Sequence, residues 1–225
     1  MKNCIIVGAG EFFESSLEVK EGDLVIAADG GLKHLQGLGV VPDLLVGDFD
    51  SLDIEALQGN GLRVVELPRE KDDTDTGKAV KIALEKGCRT FHIYGCSGGR
   101  VDHTLANIQL LTHLSKRGAQ GFLYSKGEIV TAITDGKMEF GEKTKGLVSV
   151  FSVDKTAEGV TVEGLKYPLT NHRLTNDFPL GVSNKFTGKK SVVSVESGTL
   201  AIVYERQRFP TQATDSDENA DSAAQ

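Results

Sequence analysis

Phe91–Lys116, FHIYGCSGGRVDHTLANIQLLTHLSK, reads as a strand, a glycine-rich turn and a helix in one continuous piece. Phe91–Tyr94 is short, apolar in alternation and β-prone. Gly95, Gly98 and Gly99 interrupt any regular element. From Asp102 onward Leu105, Ile108, Leu111 and Leu114 recur at helical spacing, which predicts a helix over Asp102–Lys116 with one apolar stripe.

The same alternation runs outward from this unit toward the N-terminus. Cys4–Val7, Leu24–Ala28, Leu44–Gly47 and Arg63–Leu67 read as strands, Asp75–Lys86 as a second clear helix, and Phe122–Tyr124 as a last strand. Repeated βα units predict a mostly parallel, Rossmann-like sheet with helices on both faces. Beyond about Lys126 the pattern changes. Glu128–Thr134, Leu147–Val153, Gly159–Val162, Ser191–Val195 and Leu200–Glu205 are short, rich in Val, Ile and Thr, and separated by Gly, Asp and Asn. That half is expected to be an all-β sandwich. The expected organisation is an α/β domain over 1–127, a β-sandwich domain over 128–209, and a tail over 210–225. Residues 211–225 carry four acids, no Lys or Arg and no large apolar side chain, the composition of a disordered segment.

Composition narrows the function. Apolar residues at 39% and charged residues at 25% suit a globular domain, and no stretch approaches the ~20 apolar residues of a membrane span. A net charge of −7 argues against a nucleic-acid-binding surface. Three cysteines without a C-x-x-C pair favour neither a disulfide framework nor a zinc site, so a reducing, cytoplasmic setting is expected.

The chemistry concentrates in four loops that follow strands: Asp29-Gly30-Gly31, Gly47-Asp48-Phe49-Asp50-Ser51, Lys71-Asp72-Asp73-Thr74-Asp75 and Gly95–His103. A parallel sheet puts all four at one edge, where ligands of such sheets gather. Asp48 and Asp50 in an extended turn, with Asp72 and Asp75 at i and i+3, offer carboxylates to a hard cation such as magnesium. So many carboxylates together would repel one another without one. The Gly95–Gly99 turn opening a helix exposes N–H groups to a phosphate, and Arg100 adds a cationic fork. Plainer readings exist for each part. Aspartates cap helices and mark turns; Arg100 can form a surface ion pair; His103 can simply end a helix; Ser183-Asn184 can be an ordinary turn. Gly8-x-Gly10 lacks the third glycine of a dinucleotide fingerprint, having Phe13 there, and no Walker A sequence is present.

This ordered set, completed by Pro42-Asp43, Gly98-Gly99-Arg100-Val101-Asp102-His103 and Ser183-Asn184, resembles the thiamine pyrophosphokinase family from about residue 5 to residue 205. The resemblance implies an ATP-dependent transfer of diphosphate to the hydroxyl of thiamine, with AMP released, by a homodimer with active sites at the subunit interface. It implies Asp48, Asp50, Asp72 and Asp75 around magnesium and the ATP phosphates, one of them able to take the hydroxyl proton. Asp29, Gly30, Gly31, Thr74, Gly98, Gly99, Arg100, Asp102 and His103 would shape the nucleotide site. Ser183 and Asn184 would face the thiamine pyrimidine. Some members set a tryptophan against thiamine; this sequence has none, and Phe186 is the aromatic nearest the Ser-Asn pair. Other readings that use part of the set are a pyrophosphokinase acting on another alcohol such as a hydroxymethylpterin, a D-x-D nucleotide-sugar transferase, and a nucleotide sensor without turnover.

Overall fold

The structure is a computed structural model that describes residues 2–47, 63–66 and 73–207. Asp48, Asp50, Asp72 and the 210–225 tail lie outside the described residues.

Among the described residues the parallel core consists of β1 (Lys2–Val7), β2 (Leu24–Ala28), β3 (Leu44–Gly47), β4 (Arg63–Glu66), β5 (Cys88–Tyr94) and β6 (Gln120–Tyr124). The helices are α1 (Gly31–Gly37), α2 (Asp75–Glu85) and α3 (Val101–Ser115). The strands lie in the order β6-β5-β1-β2-β3-β4, all paired in parallel. Both faces of such a sheet are covered at its centre, so β2 and β3 are buried at every position, whereas β5 and β6 still alternate. In β1, Cys4 and Ile6 pack with Ala79, Val80 and Ala83 of α2 and with Leu111 and Leu114 of α3. Ile5 and Val7 turn the other way, onto Leu32 and Leu35 of α1.

The second half adds β7 (Glu128–Thr134), β8 (Lys137–Phe140), β9 (Leu147–Ser152), β10 (Thr156–Glu163), β11 (Leu169–Thr175), β12 (Gly181–Lys185), β13 (Ser191–Ser194) and β14 (Thr199–Glu205). It is a sandwich, as expected, but its larger sheet is not separate. β7 pairs antiparallel with β6, and the order continues β7-β14-β9-β12, giving one ten-stranded sheet through residue 127. The other layer is the four-stranded sheet β11-β10-β13-β8. β7 serves two cores. Val130 and Ala132 join the helix-covered face, while Ile133 packs into the sandwich with Val160, Val193 and Leu200.

One expectation about α3 needs correction. Leu111 and Leu114 are buried, but Leu105 is 58% exposed. Steps of three residues turn a helix by about 300°, so a strict i+3 series drifts some 60° per step and ends on the opposite side. The buried stripe runs through Asn107, Leu111 and Leu114 instead. Each buried leucine contributes about 1.5–3 kcal/mol. The asparagine on that stripe has a different purpose.

Candidate active site

In a doubly wound sheet the crevice opens where the strand order reverses, at the carboxyl ends of the two strands that part there. Here that point lies between β1 and β5, whose next neighbours are β2 on one side and β6 on the other. A cleft of about 680 Å³ occupies it. Its walls are Gly8–Glu11 after β1, Asp29 after β2, Thr74–Thr76 at the start of α2, and Gly95–Arg100 with His103 and Asn107 of α3.

The two glycine walls meet closely. Gly8 N–H donates to the Tyr94 carbonyl at 2.8 Å and Gly10 N–H to the Gly95 carbonyl at 2.7 Å. Gly95 has φ +62°, and a Cβ there would stand 2.5 Å from the Gly8 carbonyl oxygen, so only glycine fits. Gly8 and Gly10 were set aside on the sequence for want of a third glycine; the structure makes them one side of the cleft. Asn107 was also missed. Its side chain, 5% exposed, donates to the Cys96 carbonyl at 2.7 Å and fixes the glycine turn from beneath. A polar residue on the apolar stripe of α3 was the available signal. Ser97 is tied down likewise, its hydroxyl donating to the Tyr124 carbonyl at 3.2 Å.

Asp29, Thr74, Asp75, Gly98, Gly99, Arg100 and His103 all line the cleft. Asp29 holds the left-handed conformation, φ +51°, with its N–H on the Val46 carbonyl. That is an uncommon backbone for a non-glycine residue. Thr74 caps α2, its hydroxyl accepting from Gly77 N–H at 3.0 Å, and Asp75 occupies the first turn. Gly30 and Gly31 act from behind the wall: a Cβ on Gly31 would stand 1.9 Å from the Val7 carbonyl oxygen. Arg100 pairs with Asp102, Nη2 to Oδ2 at 2.5 Å and Nε to Oδ1 at 3.1 Å. The guanidinium holds the exposed Asp102 carboxyl below its ordinary range. Burial pushes the Cys96 thiol up to about 11, so it stays protonated and unreactive.

Ser183, Asn184 and Phe186 lie elsewhere. β12 is five strands from β5 in the sheet order, roughly 24 Å at about 4.8 Å per strand. Asn184 is 8% exposed; its carbonyl oxygen accepts from Tyr167 N–H at 2.9 Å and its amide donates to the Tyr167 carbonyl at 2.7 Å. Phe186 is buried edge-on against Phe140, with ring centroids 5.0 Å apart. Ser183 is exposed, with φ +59° at a register shift between β12 and β9, and it alone of the three presents its side chain outward.

Among the described residues no three His, Cys, Asp or Glu side chains group closely enough to hold a metal. The oxygen donors that line the cleft, Glu11, Asp29 and Asp75, are of the type a hard cation takes.

Doubly wound sheet, glycine turn at a helix start and carboxylates in the switch-point cleft together define a phosphate-binding α/β protein. Comparison with known proteins narrows the class. Residues 16–123 match the family model of the thiamin pyrophosphokinase catalytic domain, and 137–200 that of the thiamin pyrophosphokinase vitamin B1 binding domain. The sequence is 31% identical over 189 residues to thiamine pyrophosphokinase of Bacillus subtilis (strain 168), covering 81% of this chain and 87% of that protein. The crystal structure of a Bacillus subtilis thiamine pyrophosphokinase superposes with a TM-score of 0.79 at 28% identity, over 92% of this chain and all of that one. Thiamin pyrophosphokinase from Candida albicans, at 16% identity and a TM-score of 0.73 over 91% of this chain and 89% of its own, shares the fold. The chain belongs to the thiamin pyrophosphokinase family.

Proposed function

We propose that this chain transfers the diphosphate of ATP to the hydroxyl of thiamine, giving thiamine diphosphate and AMP. The observation that carries the reading is the switch-point cleft: a glycine turn and helix start for phosphate beside carboxylates for its counter-cation, in a chain whose two halves both match this family.

Asp75, with Asp48, Asp50 and Asp72 by their sequence positions, would hold magnesium. When bound, the ion neutralises the polyphosphate and draws electron density from the phosphorus to be attacked. The N–H groups of Gly98 and Gly99 receive phosphate oxygens. Arg100, already in an exposed pair, exchanges part of its bond to Asp102 for a phosphate. The thiamine oxygen forms a bond to the β-phosphorus, the bond from that phosphorus to the α–β bridging oxygen breaks, and AMP leaves with that electron pair. One cleft carboxylate accepts the hydroxyl proton. Such chemistry is mostly positioning and charge neutralisation.

In this reading residues 1–127 bind ATP and 128–209 bind thiamine, and the separation of β12 from the cleft supports a homodimer in which Ser183 of one copy reaches the cleft of the other. Exposed apolar side chains at both places support it too: Val101 and Leu105 beside the cleft, Phe178, Leu180 and Val182 around β12. Ser183 meets the thiamine ring, while Asn184 and Phe186 hold the backbone that presents it. Three free, buried cysteines agree with a reducing cytoplasm, and no described helix is long and apolar enough to cross a membrane.

The test is to incubate the protein with ATP, magnesium and thiamine and to analyse the nucleotide released. AMP with stoichiometric thiamine diphosphate is expected. ADP would refute diphosphate transfer, and AMP formed only with another alcohol would refute thiamine as the acceptor.

A further inference from the structure

The connection from β1 to β2 builds one cleft wall with Gly8–Glu11 and then leaves the cleft. Three residues on, the Glu14 carboxylate meets both terminal nitrogens of Arg206, with Nη2 donating to Oε2 at 2.7 Å and Nη1 to Oε1. The Glu14 side chain is 10% exposed and that of Arg206 31%. This is not a screened surface contact. Arg206 follows β14, in the other half of the chain, and its N–H is held by the Gly127 carbonyl at 2.8 Å. Its guanidinium lies over the Tyr124 ring, 5.2 Å from the centroid, and Tyr124 stacks on Tyr94 at 4.3 Å.

Those two tyrosines are the residues from which the cleft hangs. The Tyr94 carbonyl receives Gly8 N–H, and the Tyr124 carbonyl receives the Ser97 hydroxyl. Both glycine walls are thus referred to one assembly that ends in the Arg206–Glu14 pair. Nothing in the phosphate chemistry uses either residue. A bidentate, partly buried pair costs desolvation that offsets part of its mutual attraction, and losing one partner leaves the other charge without its counter-ion.

We propose that Glu14 and Arg206 are a positioning pair for the nucleotide: a strap that sets the Gly8–Glu11 wall against the Gly95–Arg100 wall and ties both to the end of β14. The proposal rests on the reading of the cleft as the ATP site. Without Arg206, Glu14 swings out to regain water and carries the β1–β2 connection with it, widening the cleft. Neither residue touches the reacting atoms, so the loss falls on ATP affinity and not on the chemical step.

The test compares the full-length parent with Arg206→Ala, Arg206→Lys, Glu14→Gln and the Glu14→Gln/Arg206→Ala double variant. ATP affinity in the presence of magnesium is read by calorimetry, and kcat and both KM values by AMP release. Arg206→Ala should raise the Kd and KM for ATP about tenfold while kcat at saturating ATP stays within about twofold. Arg206→Lys should recover part of the affinity, since a point charge keeps the attraction without the fork. The double variant should bind ATP no worse than Arg206→Ala, because the pair acts as one unit. Lys116→Ala, which removes the Lys116–Asp154 pair at the far end of α3, controls for loss of an ion pair as such. An ATP Kd within about twofold of the parent in both Arg206→Ala and Glu14→Gln would overturn the proposal, leaving the pair a brace visible only in thermal stability. Should Arg206→Ala fail to fold, the near-isosteric Glu14→Gln carries the test alone. A parent that binds ATP yet makes no thiamine diphosphate refutes the acceptor and leaves the strap measurable; a parent that binds no ATP refutes both.

Discussion

Asn107 offers the sharpest test of how the glycine turn is held. Replacing it with leucine suits the apolar stripe of α3 and keeps the approximate volume, but removes the donor to the Cys96 carbonyl. That carbonyl belongs to a residue only 7% exposed, and a buried acceptor left without a partner costs about 1–3 kcal/mol. For a chain of this size the loss corresponds to roughly 2–12 °C in Tm. The same change frees the turn that carries Gly98, Gly99 and Arg100, and displacement of a positioning element by an ångström costs on the order of 10²-fold. We expect kcat/KM for ATP to fall by about one to two orders of magnitude. Asn107→Asp supplies an independent check. An ionised carboxylate facing a carbonyl is worse than leucine, whereas the protonated acid can donate again. Burial raises the pKa of such a group above its unfolded value of about 3.9, so its penalty is absent at low pH and grows as pH rises through the raised value. The gap in Tm between Asn107→Asp and the parent should therefore narrow from about pH 8 to about pH 5. Melts over that range and AMP-release kinetics decide it. Asn107→Leu melting within about 1 °C of the parent, with unchanged kcat/KM, would refute the reasoning.

Three further outcomes are expected. Asp75→Asn should keep the parent's melting profile but lower kcat on the order of 10²-fold or more, and undiminished turnover would remove Asp75 from the charge-neutralising set. Gly31→Ala places a methyl 1.9 Å from the Val7 carbonyl oxygen in a contact between backbones that cannot rotate away, so soluble expression should collapse; a stable, active variant would show that α1 can shift. Burial lowers the His92 pKa below 6.5, so the stability it contributes is complete above pH 6.5 and is lost as pH falls through the depressed folded value. His92→Phe should flatten that acid-side slope of Tm, and an unaltered slope would place the titration elsewhere.

Much of the fold was legible because short apolar strands bounded by turn residues leave few alternatives. β2, β3 and β7 begin and end where alternation and turn residues put them. α1 escaped notice because its seven residues hold only two buried leucines, too few to show a helical period. β11 and β12 were equally silent: their sequences, LTNHRLT and GVSNK, are polar and mostly exposed, and pairing with β10 and β9 decides their conformation, not propensity. At the site, the side chains with obvious chemistry, Asp75, Arg100 and His103, were readable from residue type and spacing. What positions them was not. Asn107 left only its place on the apolar stripe of α3 as a trace, and Ser97 and the Arg206–Glu14 pair work through contacts between residues far apart in sequence, which no local pattern encodes. Arg206 and Glu14 stand 192 residues apart.

The pairing of β6 with β7 limits how such a chain can be taken apart or assembled over evolutionary time. A break between Tyr124 and Glu128 would leave each fragment with a bare ladder of peptide groups, one flanked by Phe122 and Tyr124, the other by Ile129 and Thr131. Exposed edges of that kind recruit other strands and aggregate. The α/β fragment would also lose Val130, Ala132 and Val203 from its own core. Pulling the halves apart along this seam therefore costs each of them a paired edge and costs the first half part of its core, so they hold together as one folded body.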